Sequence, residues 1–125
     1  MRGLALYFFA LGVVAAVVGM AWGIQMSATN NHLLSPAHAH LNLLGWVTLA
    51  LFGIYYHLCP RAAQGVLPKL HFALAVLGVV IIVPGIVMAL RETGETLAKV
   101  GSILSVASML LFLFIVLRNA GGDTT

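Results

Sequence analysis

Charge is what this chain has least of. Of 125 residues only 7% are Asp, Glu, Lys or Arg, where a soluble domain of this size carries about 25%. Water is therefore not its main solvent. Cysteine is also scarce: the single Cys59 excludes an intramolecular disulfide. Standing just before Pro60, it reads as a small residue at a membrane boundary. The net charge of +3 is spread over connecting segments rather than clustered, so nucleic acid is not an expected partner. No stretch is long enough for a soluble domain, since the longest connector, residues 25–36, has about a dozen residues and little follows Arg118.

What is present is apolar surface, 62% of the residues. It is gathered in four runs, roughly 4–24, 37–58, 67–90 and 96–117, each near the ~20 residues that carry a helix across hydrocarbon. Backbone groups in lipid must be satisfied internally, so such runs are helices or barrel strands. Barrel strands alternate polar and apolar residues, and these runs do not. The prediction is an all-α integral membrane four-helix bundle, one domain over residues 1–125. Met1-Arg2 gives the first run a charged start, but the run is long for a signal peptide and no clear cleavage site follows, so it is predicted to stay. Four spans put both termini on one side. That side carries Arg2, Arg61, Lys69 and Arg118 against Arg91 and Lys99 opposite, which favours cytoplasmic termini. His32, His38 and His40 then lie toward the outer face, and His57 and His71 toward the cytoplasm.

Local signals add detail. Ser35 suits the N-cap of the second helix and Pro36 its first position. Gly12, Ala15, Ala16, Gly19 and Gly23 in the first span, and Gly101, Ser102, Ser105 and Ser108 in the fourth, have the spacing that lets membrane helices approach closely. Pro84-Gly85 is expected to bend the third helix and free the Val80 carbonyl.

The chemistry lies in the segment from Ser35 to His57. An imidazole unpaired in hydrocarbon costs several kcal/mol, roughly, so His38 and His40 need a hydrogen-bond partner, a metal or a heme iron. Two residues apart on a helix, they point about 200° apart. One ion cannot take both from a regular helix, which would want i, i+3 or i, i+4 spacing. The pair suits a helix wedged between two sites, giving one ligand to each.

Read onward from His38, the chain runs H-A-H-L-N-L-L-G-W, then Phe52-Gly53, Tyr55-Tyr56 and Pro60, and Lys69-Leu70-His71-Phe72 opens the next helix, with Leu77-Gly78 after it. This resembles the heme-bearing helix and its successor in subunit I of heme–copper oxidases, most closely the C-type branch, and in the related nitric oxide reductases. The similarity covers His38 to about Gly78, roughly a third of the chain; the first and fourth helices match only as apolar spans.

The resemblance implies that His38 and His40 are axial ligands of two different hemes, on opposite faces of their helix. Subunit I has twelve spans in three four-helix arcs, and a four-span chain looks like one arc. Three copies would rebuild the ring as a cyclic homotrimer, with a low-spin, bis-histidine heme b at each interface between His38 of one protomer and His40 of the next. The membrane implied is the cytoplasmic membrane of a bacterium or archaeon, and the redox partner is open. Asn42 is read as bonding the backbone or a neighbouring helix, and Trp46 as a wall for a porphyrin or another helix. His57 and His71 are read as interfacial anchors, His71 alternatively as a residue supporting the ligands from behind. His32 is expected to be solvated or to reach a heme edge, and Arg91 to approach the propionates, for which the first loop offers only neutral donors.

The chain also departs from the family. A copper site there needs a His-His pair, and none exists here. Full oxygen or nitric oxide reduction is therefore not expected, and two axial imidazoles leave no vacant iron position, which favours electron transfer or redox or heme sensing. Two other readings stay open: a membrane protein binding copper or another ion through His38 and His40, and a cofactor-free accessory subunit of a respiratory complex.

Overall fold

The computed structural model describes residues 1–121. Four helices follow one another: α1, Gly3–Thr29; α2, Ser35–Leu58; α3, Val66–Leu90; and α4, Thr96–Arg118. All four are long and apolar enough to cross a membrane. The chain is thus an all-α protein compatible with a membrane helical bundle.

Two boundaries and one interior differ from the sequence reading. α1 continues past Ile24 to Thr29, because the polar residues beyond the apolar run still wind as helix; Thr29 Oγ1 donates to Gln25 O at 2.9 Å, and Asn30 ends the helix in the left-handed region at φ 54°. Ser35 is not the cap of α2 but its first helical residue, with no capping bond. The chain turns one residue earlier, where the Asn31 side chain accepts Leu33 N–H at 3.1 Å and Ser35 N–H reaches His32 O at 3.1 Å. α3 runs through Pro84 as one helix, in agreement with the single apolar run 67–90. The interior of α2 is the larger surprise: Leu41–Thr48 winds as a π-helix between α-helical ends, and Thr48 Oγ1 donates to the Leu43 carbonyl five residues back at 2.6 Å.

Apolar side chains gain little by leaving lipid for each other, so membrane helices associate through close van der Waals contact. The helices pair accordingly, α1 with α2 and α3 with α4. Between α1 and α2, a Cβ on Gly53 would lie 2.9 Å from Ala5 O, and one on Gly12 would lie 3.1 Å from Trp46 O. Between α3 and α4, Gly101 lies against the Ile82 backbone, where a Cβ would come within 2.6 Å of Cα, and Gly78 faces Ser105. Gly12, Ala15, Gly19, Gly23, Gly101 and Ser105 therefore make the helix contacts expected of them, whereas Ser102 is exposed and donates to Ala98 O.

Met1, Arg2, the short Pro60–Ala63 turn and the end of α4 share one end of the bundle, the terminal end. There Arg61 Nη2 donates to Asn119 O at 3.1 Å, tying the turn to the end of α4. An apolar core centred on Phe8, Phe52, Tyr56 and Ile115 lies just inside that end.

The backbone contact at Gly101 predicts a selective loss of stability. Gly101→Leu is expected to destabilise the detergent-solubilised protein by about 3 kcal/mol through overpacking, while Ser102→Ala changes stability by less than about 0.5 kcal/mol. Unfolding midpoints in SDS titrations of the two variants check this.

Candidate functional site

The residues singled out in α2 fall into two groups. His38, Asn42 and Trp46 recur every fourth residue and descend one face of the helix against α1. His38 lies beside Gly23 and Gly19, Asn42 against Gly19, and the Trp46 backbone against Gly12. The Trp46 ring meets Phe9 edge-on at 6.2 Å, so it is a wall against α1. His40 points elsewhere and shares none of these neighbours.

The hydrogen bonds fix the tautomers. His38 Nε2 lies 2.9 Å from Gly19 O. A carbonyl oxygen only accepts, so Nε2 carries the hydrogen and donates it, and Nδ1 keeps the lone pair. Asn42 Nδ2 is 3.4 Å from the same nitrogen; with that hydrogen committed to Gly19, this is a contact rather than a second bond. The Trp22 ring meets the imidazole edge-on at 5.8 Å. His40 shows the opposite pattern. Its Nδ1 lies 2.8 Å from the Pro36 carbonyl of its own helix, so Nδ1 carries the hydrogen and Nε2 presents a lone pair. The ring is half-buried, with no other hydrogen bond among the described residues.

Arg91 does come to the first loop. With Gln25, Thr29 and Asn31 it surrounds a cavity of 160 Å³ whose apolar wall includes Trp22. One cation and several neutral donors thus collect at the end where His38 and His40 lie. His32 is exposed and does not line this cavity. His57 is exposed at the terminal end.

His71 is not an interfacial anchor. It is fully buried, as is Tyr56, whose hydroxyl is 2.8 Å from His71 Nδ1. Phe52 meets the imidazole at 4.4 Å, and Phe8 and Phe112 each at 5.1 Å, so α1, α2 and α4 all pack on it. Its Nε2 has no hydrogen-bond partner among the described residues. The signal for this was in the spacing. Pro68, His71, Ala75, Gly78, Ile82 and Gly85 form one buried helical stripe, and the histidine is part of it.

Do these groups suit an iron porphyrin? Axial ligation asks for a nitrogen lone pair, with the other ring nitrogen bonded to hold the ring. His40 meets both conditions as it stands. His38 is of the right type, but its Nε2 is turned onto Gly19. Among the described residues no three His, Cys, Asp or Glu side chains come together. No protein-family model, curated protein or solved structure matches this chain.

The Tyr56–His71 bond is testable apart from any cofactor. Tyr56→Phe leaves a buried ring nitrogen without its partner and is expected to cost about 1–3 kcal/mol. Adding His71→Phe removes the unpaired group, so the double variant should lose clearly less than the two single losses combined. Additive losses in SDS unfolding would show that the bond contributes nothing.

Proposed function

We propose that this is a membrane b-type heme protein resembling one arc of heme–copper oxidase subunit I, with a bis-histidine heme at each interface of a cyclic homotrimer. His40 of one protomer and His38 of its neighbour supply the axial nitrogens. The observation that carries this reading is the state of His40: its Nδ1–H is anchored on the Pro36 carbonyl, and its Nε2 makes no hydrogen bond among the described residues. An imidazole held in this way by its own helix leaves its second ring nitrogen free for a ligand.

Two further observations support an interfacial site. Neither His38 nor His40 lines the 160 Å³ cavity or the 190 Å³ apolar cleft that Leu11, Ala15 and Val79 help to line, which fits a porphyrin held on an outer face with a second copy closing over it. Arg91, with its neutral neighbours, gathers the donors that propionates require at the same end. Bound heme would supply one-electron chemistry; the protein's own part is to hold both axial positions, which suits electron transfer or redox or heme sensing better than gas reduction. The distribution of Lys and Arg favours cytoplasmic termini, which would put the heme near the outer face.

Purification in mild detergent with hemin supplied during expression tests the proposal. The expected product is red, with a sharp reduced α-band and a trimeric mass by native mass spectrometry. His38→Ala and His40→Ala should each lose most of the heme while keeping helical circular dichroism. Unchanged heme in either variant, or a fully loaded monomer, would sink the reading; a colourless protein carrying copper would favour a metal-binding role instead.

A further inference from the structure

We infer that the Gly19–Gly23 face of α1 is a seat for His38 that competes with axial ligation, so that taking up heme exchanges the Gly19 carbonyl for iron at His38 Nε2. The inference rests on the heme reading for what replaces the carbonyl; the seat itself is a property of the protein alone.

Three features build it. The first is the bond itself, Nε2–H to Gly19 O at 2.9 Å. The second is space. A Cβ on Gly23 would lie 3.3 Å from that nitrogen and 3.8 Å from Cε1, so glycine leaves the ring room that a methyl group would narrow by a few tenths of an ångström. The third is Asn42, one turn below, whose amide fills the place where a Gly19 side chain would stand. Trp22 closes the outer side of the ring. The Gly19 carbonyl is also the α-helical acceptor for the Gly23 N–H, four residues on. The imidazole therefore occupies the second lone pair of an oxygen that is already satisfied. Releasing His38 orphans nothing in α1.

The exchange balances without an added reagent. The Nε2–H···O bond would break, Nε2 would pass its proton to water at the membrane surface while Nδ1 takes one up from it, and the freed Nε2 pair would be available to hold the heme. The imidazole is neutral before and after, so no net proton is released. His40 needs no such step, since its proton already resides on Nδ1. The two ligands therefore differ in readiness: one is open, and one must first leave its seat.

Two measurements test this. In the heme-free protein, labelled with ¹⁵N-histidine in bicelles, imidazole nitrogen shifts should show His38 as the Nε2–H tautomer and His40 as the Nδ1–H tautomer. Gly23→Ala, which crowds the ring and favours its own helix, should mix the His38 tautomers and leave His40 unchanged. In hemin titrations the same variant should bind about two- to tenfold more tightly than the parent, the worth of one ordinary hydrogen bond. Finding His38 as Nδ1–H in the parent protein overturns the seat. Equal or weaker hemin binding by Gly23→Ala overturns the competition. A parent protein that keeps the stated tautomers yet binds no hemin overturns the heme reading, and with it the exchange, but leaves the seat standing.

Discussion

Helices in hydrocarbon cannot be driven together by hiding apolar side chains, because lipid solvates those side chains equally well. This bundle is instead held where one backbone meets another closely enough for dispersion contacts to add up. Glycine makes those meetings. Gly12 lies on the Trp46–Ala50 backbone, Gly53 on that of Ala5 and Phe9, Gly85 on that of Leu97 and Ala98, and Gly101 on Ile82. Other features follow from that constraint. The imidazole of His38 packs beside Gly23 and the Asn42 amide beside Gly19, because the same bare surface extends to the outer end of α1. The small-residue stripe is therefore both the joint and the floor of the candidate site.

The winding of α2 follows from the same joint. Its buried residues Ala37, Leu41, Gly45 and Leu49 recur strictly every fourth position. In a regular α-helix four residues turn about 400°, so such a stripe drifts by about 40° at each step. Over three steps it would leave the face of α1. The wider π winding of Leu41–Thr48 cancels the drift, and the parallel row His38, Asn42, Trp46 and Ala50 stays against α1 along its length. Below Thr48 the buried positions Leu49, Phe52, Gly53 and Tyr56 return to ordinary helical spacing, and so does the helix.

Span number, helix type and most boundaries were legible because they depend on local apolarity and on the need to satisfy the backbone in lipid. The divergence of His38 and His40 was legible because it depends only on α-helical geometry, and both lie in the α-helical first turns. What the one-dimensional reading could not carry were facts set by a neighbouring helix. The π segment answers the face of α1. The burial of His71 is set by Phe8, Phe52 and Phe112, which come from three other parts of the chain. Its position near a helix start suggested an interface, yet the stripe from Pro68 to Gly85 that contains it was already written at helical spacing. Ser35 misled for a smaller reason, since Asn31 takes up the turn ahead of it.

The opposite tautomers of His38 and His40 show how one short segment can present two unlike imidazoles. The state of His40 is written into its own helix: Pro36 O is one turn back, and no tertiary contact is needed to hold Nδ1–H there. The state of His38 belongs to the joint between α1 and α2, because the carbonyl it uses belongs to Gly19. A change in the distance between those helices alters His38 and leaves His40 as it was. In a ring of such protomers, each interface would bring a ligand that is ready by local structure against one that answers to its own bundle. In such a ring the asymmetry would let contacts that press on α1 govern half of each site without disturbing the other half.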